Sequence, residues 1–288
     1  MEIDRRIFIA SLGGTAAVGL MGDEAKADAL EEFMSARLNE AAAQQSAGTA
    51  QQSAGTAQQT ANTAQQFPSM AELEAQIDTR PTRRGVGNLF TARTGNVKRL
   101  DKLPAHPRLV DFFTMRFNNT SNHCLQSATK ALRSGMSEEV VLACLLHDVV
   151  QEIIKVDHGW WGAQLFEPYI SEKAAFAIRY HQALRFYADP ANGYEYPDLY
   201  RRIFGHDYRP EPYIEATYQM VRKHKWYGEA RMVTVNDLYA FDANAQVSLE
   251  PFVDIIGRNF KQPKEGLGYD NSPVAHMWRT IERPDAPL

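Results

Sequence analysis

From Pro107 onward the apolar positions recur at helical spacing, and no stretch alternates at period two for long enough to argue a sheet. The pattern predicts a helix over about 108–116 and a second over about 120–133, stopped before Gly135, a residue suited to the position after a helix end. Ser137-Glu138-Glu139 then opens a central helix, with a capping hydroxyl and acids in the first turn. Its residues Val140 to Leu146 are apolar on nearly every side, the mark of a buried core helix. Further helices are predicted over about 171–187, begun by Ser171-Glu172, over about 212–225 and over about 229–241. The expected fold is all-α, a bundle of six to nine helices.

Upstream the pattern changes. Arg5-Arg6 precede a mildly apolar run from Ile7 to Met21 and a small-x-small site at Ala25-Lys26-Ala27, which together read as a twin-arginine export signal over 1–27. The run is shorter than the ~20 apolar residues a spanning helix needs. No membrane span is therefore expected after its removal, and the protein is expected in the periplasm or outside the cell. Residues 28–66 begin polar and helix-prone, then repeat Gln-Gln-Ser-Ala-Gly-Thr-Ala at period seven without an apolar seam. Such a tract buries too little surface to offset its ordering entropy and reads as a tether. A leader over 67–106 holds a candidate helix, Met70 to Ile77, and an arginine-rich loop, Arg80 to Gly87. The main domain with its C-terminal extension is expected over 107–288.

Composition narrows the function. The net charge of −4 offers no basic surface for nucleic acid. The two cysteines, Cys124 and Cys144, lie in apolar helical segments and read as buried thiols, without the spacing of a structural zinc site. The tyrosines and tryptophans near Trp160, Tyr194 and Trp226 read chiefly as packing. His106, His206, His224 and His276 have no partner pattern.

The chemistry gathers around His147-Asp148, an ionisable pair at the end of the most apolar helix. Ionisable groups are costly there unless paired or bound to metal. His123 stands 24 positions before His147, His158 11 after it, His181 23 further on, and Asp237 56 beyond that. Residues on successive helices converge where a bundle closes, and bundle interiors are where facing side chains build metal sites. Imidazoles with carboxylates suit Fe, Mn, Zn, Co or Ni, and Asp148, with candidate ligands on both sides, can bridge two cations. Arg185 lies one helical turn after His181, on the same face.

The order His123, His147-Asp148, Asp237 resembles the H…HD…D pattern of the HD-domain superfamily of metal-dependent phosphohydrolases, over about 107–242. With His158 and His181 the pattern becomes H…HD…H…H…D. That version is similar to the branch of mixed-valent di-iron oxygenases acting on organophosphonates and myo-inositol. The resemblance implies one metal on His123, His147, Asp148 and Asp237, and a second on Asp148, His158 and His181. It implies iron first, with Mn, Ni, Co or Zn as alternatives, and a small anionic or polyol substrate oriented by Arg185. Gln151 stands where many relatives carry histidine, and Phe113 and Arg116 stand where phosphonate-cleaving members carry gating tyrosine and glutamate. Three functions follow as alternatives: a dinuclear iron oxygenase, a phosphohydrolase, and an exported binding protein with a structural metal site. Nothing in the chain speaks to oligomeric state.

Overall fold

The computed structural model describes residues 100–117, 120–155, 157–238, 240–242 and 244–283. The export signal, the tether and nearly all of the leader, including the segments 70–77 and 80–87, lie outside the described residues. Among the described residues there is no strand, only one isolated bridge between Asp189 and Tyr194. The fold is all-α. In chain order the helices are α1 (Leu109–Met115), α2 (Ser121–Arg133), α3 (Glu138–Leu146), α4 (His158–Phe166), α5 (Glu172–Leu184), α6 (Asp198–Phe204), α7 (Pro212–Val221), α8 (Tyr227–Leu238), α9 (Val253–Asn259) and α10 (Ala275–Glu282). Seven of them have eight residues or more, and α1, α6 and α9 have seven each.

The start and stop signals act as local chemistry requires. Ser137 accepts from Val140 N–H at the head of α3, and Ser171 accepts from Ala174 N–H at the head of α5. Gly135 takes a left-handed φ of 68° after α2, where a side chain would be strained. Its N–H donates to Leu132 O and that of Met136 to Ala131 O, so the final carbonyls of α2 are satisfied.

Helix α3 is buried from Val140 to Leu146. It packs against α2, α5, α8 and α9, and α5 in turn packs against α4, α7 and α8. These contacts bring α2, α3, α4, α5 and α8 around a common centre. Elsewhere in the core Trp278 of α10 is fully buried among Phe112, Phe117, Phe166 and Tyr169. No helix among the described residues is long and apolar enough to cross a membrane.

Candidate metal centre

Each of the six residues singled out by spacing sits at or near a helix end. His123 is in the first turn of α2, His158 begins α4, His181 lies in the last turn of α5, and Asp237 is next to last in α8. His147 caps the C-terminus of α3, and Asp148, at φ −110° and ψ −5°, leaves the helix for a 3₁₀ turn over Val149–Glu152. That break has a geometric use. Consecutive side chains in a continuous α-helix diverge by about 100° around the axis, whereas here both reach one point, with His147 Nε2 3.5 Å from Asp148 Oδ1.

The six come together in the interior, none more than 1% exposed. Nε2 of His123 lies 3.0 Å from Asp237 Oδ1, 3.4 Å from Asp148 Oδ2 and 3.2 Å from Nε2 of His147. Asp237 Oδ1 is 3.5 Å from His147 Nε2. On the other side of Asp148, Oδ1 is 3.0 Å from His158 Nε2 and 3.7 Å from His181 Nε2. Two groups therefore share Asp148: His123, His147, Asp148 and Asp237, and Asp148, His158 and His181. Within each group the ligand atoms lie within 4.8 Å of one another.

The outer ring nitrogens explain the orientation. Nδ1 of His123 lies 3.1 Å from Ala240 O, Nδ1 of His147 2.8 Å from Cys144 O, and Nδ1 of His181 2.6 Å from Ile178 O. A carbonyl can only accept, so each of these Nδ1 atoms donates, and each neutral ring turns a bare Nε2 inward. Nδ1 of His158 is 3.1 Å from Lys155 O and also 3.1 Å from the Gln182 amide nitrogen. The centre is thus built of acceptors facing acceptors. Asp148 Oδ1, Asp237 Oδ1 and His181 Nε2 are fully buried yet make no well-aligned hydrogen bond, a costly condition unless a cation supplies the missing charge.

In the absence of metal, protons fill that role in part. Burial opposes charge on His123, but Asp148 and Asp237 outweigh it and push the ring up to about 10. His147 is likewise held well above its ordinary value, burial being overcome by Asp148 and Asp237. Burial pushes both carboxyls up, yet the surrounding imidazoles prevail and hold Asp148 and Asp237 below the usual range. His181 is the exception. Burial, with the neighbouring His147 and His158, outweighs Asp148 and lowers it. The residues fit a metal: this buried cluster can take cations in place of protons.

Several further groups support the six. The Phe241 ring stacks on His123 at 4.2 Å, and Thr234 Oγ1 donates to His181 O at 2.8 Å, tying α8 to α5. Gln182 is buried, and its Oε1 accepts from Gly159 N–H at 2.6 Å. A Cβ on Gly159 would meet that oxygen at 2.8 Å and Ile178 O at 2.9 Å, so glycine lets α4 and α5 approach. Gln182 also lines a groove of about 140 Å³ with Trp160, Arg179, Tyr180 and Tyr213.

Arg185 caps the C-terminus of α5 and is buried. Its guanidinium lies over the Phe186 ring at 5.4 Å, and its carbonyl accepts from the Tyr194 hydroxyl at 2.7 Å. Phe113 packs edge-on against Phe117. Arg116 donates from Nε to Glu282 O at 2.6 Å and from a terminal nitrogen to Asp101 O at 2.7 Å, joining chain segments that are far apart in sequence. Cys124 and Cys144 are buried and form no disulfide, and burial pushes the Cys144 thiol up to about 12. His106, His206 and His276 are exposed, and His224 stacks on Phe176 at 4.1 Å.

No protein-family model matches the chain, and a comparison with curated proteins finds no relative.

Proposed function

We propose that this is an exported, metal-dependent enzyme with a dinuclear centre, iron first among the candidate metals, that oxidises a small polar substrate with dioxygen. The observation that carries the metal reading is the pair of facing ring nitrogens, His123 Nε2 and His147 Nε2, 3.2 Å apart with both Nδ1 atoms already donating to carbonyls. As bare lone pairs, or with both protonated, the two nitrogens repel at that distance, and a shared cation removes either conflict. In this reading His123, His147, Asp148 and Asp237 would hold one ion, and Asp148, His158 and His181 would hold the other, with Asp148 common to both.

A metal pair supplies Lewis acidity and, as iron, a redox partner for dioxygen. The chain's own residues do the rest. The carbonyls of Ala240, Cys144 and Ile178 fix the rings of His123, His147 and His181, so little reorganisation is needed on loading. Burial of all six excludes bulk water. By the resemblance Arg185, one turn beyond His181 and buried over Phe186, would orient the anionic or hydroxylated part of the substrate. The reading as an oxygenase rests on the H…HD…H…H…D order, and the export reading rests on Arg5-Arg6 and the run that follows.

The deciding experiment is metal analysis of anaerobically purified protein, with spectroscopy for a coupled iron pair and a measurement of dioxygen uptake. Two irons per chain and substrate-dependent uptake support the proposal. Turnover of aryl phosphates with Mn or Ni, unaffected by anaerobiosis, makes the protein a phosphohydrolase instead. Full activity in His147→Ala would remove the centre itself from consideration.

A further inference from the structure

Three of the four central histidines meet only an acceptor at Nδ1, but His158 meets an acceptor and a donor. Lys155 O and Gln182 Nε2 both stand 3.1 Å from that nitrogen. The amide orientation is set from its other end, because Gly159 N–H needs an acceptor and Gln182 Oε1 provides it at 2.6 Å. The amide NH₂ therefore faces His158. One nitrogen cannot donate to Lys155 and accept from Gln182 at once.

The two choices have opposite consequences for metal. When Nδ1 accepts from Gln182, the ring hydrogen is on Nε2, the nitrogen a metal would need; Asp148 Oδ1 lies 3.0 Å from it without a well-aligned hydrogen bond. When Nε2 is bare for a metal, the hydrogen is on Nδ1, and the Gln182 amide opposes it. His123, His147 and His181 meet no such conflict, since a carbonyl faces each Nδ1. The position of His158 sharpens the effect. It is the first residue of α4, after Asp157 with a left-handed φ of 54°, and its carbonyl partner comes from the connecting segment, outside any helix.

We infer that Gln182 is a positioning residue that makes the half-site of Asp148, His158 and His181 the weaker of the two, so that metal ions load in order. The first ion enters at His123, His147, Asp148 and Asp237. The second enters only after the hydrogen on His158 has moved from Nε2 to Nδ1 against the Gln182 amide. This inference rests on the two-metal reading above.

The test titrates chelator-treated full-length protein with Co(II) and follows the visible spectrum. Wild type takes up two ions in separate steps. Gln182→Glu keeps an acceptor for Gly159 N–H and turns a second acceptor toward Nδ1. It should tighten the second step by about tenfold or more and leave the first unchanged. Nitrogen NMR of the metal-free protein gives a readout independent of loading. Neutral His158 should carry its hydrogen on Nε2 in wild type and on Nδ1 in Gln182→Glu, while His181 keeps Nδ1–H in both. Uptake of both ions in a single step by wild type, an unchanged or weaker second step in Gln182→Glu, or Nδ1–H on wild-type His158 would overturn the inference. His158→Ala separates this failure from failure of the two-metal reading. If that variant still shows both steps, the two-metal reading is wrong. If it loses the second step while Gln182→Glu behaves as wild type, only the role of Gln182 is.

Discussion

The core has two buried poles of opposite character. Around Trp278 the rings of Phe112, Phe166 and Tyr169 stand 4.8, 5.7 and 6.2 Å from the indole. Around Asp148 four imidazoles and a second carboxylate converge at 3.0–3.7 Å. Packing satisfies the rings of the first pole, because dispersion and the hydrophobic effect ask only for contact, and its one polar atom without a hydrogen-bond partner is the indole nitrogen of Trp278. The second is incomplete by the same standard, since its inward atoms are mostly acceptors. One pole is held by apolar packing, and the other gathers groups that can hold cations.

Breaking each pole separately should show that difference, and the largest effect is expected at the shared carboxylate. Asp148→Ala should abolish stable occupancy of both ions, whereas Asp237→Ala should empty chiefly the half-site of His123 and His147. Metal per folded chain measures this, and equal loss in the two variants would count against a bridging Asp148. Trp278→Ala should cost about 3–5 kcal/mol of stability in denaturant unfolding while leaving metal per folded chain unchanged. A parallel loss of metal would show that the poles are not independent.

A pH series sharpens the contrast. In the metal-free protein His123 is raised from 6.5 to about 10, so its contribution is complete below pH 6.5 and is lost as pH rises through 10. Asp148 and Asp237 are depressed from 3.8, so theirs is present above pH 3.8 and is lost as pH falls through their lowered values. Metal-free protein should therefore lose stability between pH 7 and 10. Metal-loaded protein should not, and its metal affinity should weaken as pH falls and protons compete for the imidazoles. Unfolding midpoints of chelated and loaded samples at pH 7 and 10 measure this, and parallel pH curves would contradict the exchange of protons for metal. The smallest effect is expected away from both poles. Ser171→Ala removes the hydroxyl that accepts from Ala174 N–H and donates to Glu139 at 2.7 Å. It should cost about 1 kcal/mol and leave metal stoichiometry unchanged.

Much of the frame was legible in local pattern. The capping serines Ser137 and Ser171, Gly135 beyond α2 and the apolar run of α3 act within a few residues of themselves, so neighbouring sequence reveals them. Helix C-termini were less legible. The helix expected to about 187 ends at Leu184, and that expected to about 225 ends at Val221. Beyond Val221 the N–H groups of Lys223 and His224 turn back to carbonyls three residues away, a tightening that apolar spacing does not record. Phe241 and the Ala240 carbonyl were not legible as parts of the centre. A phenylalanine and a backbone oxygen are unremarkable until a distant histidine packs against them.

What the sequence by itself determined is the helical class, the burial of α3 and the six residues that can bind a cation, because periodicity and residue chemistry are local properties. The division into two groups sharing Asp148 was implied by the resemblance, and the tertiary structure alone decided the distances within them. It also decided that carbonyls turn Nε2 inward, and that His158 alone has a donor against its Nδ1. These are distances between segments as far apart as His123 and Ala240, and helix packing, rather than order along the chain, fixes such distances.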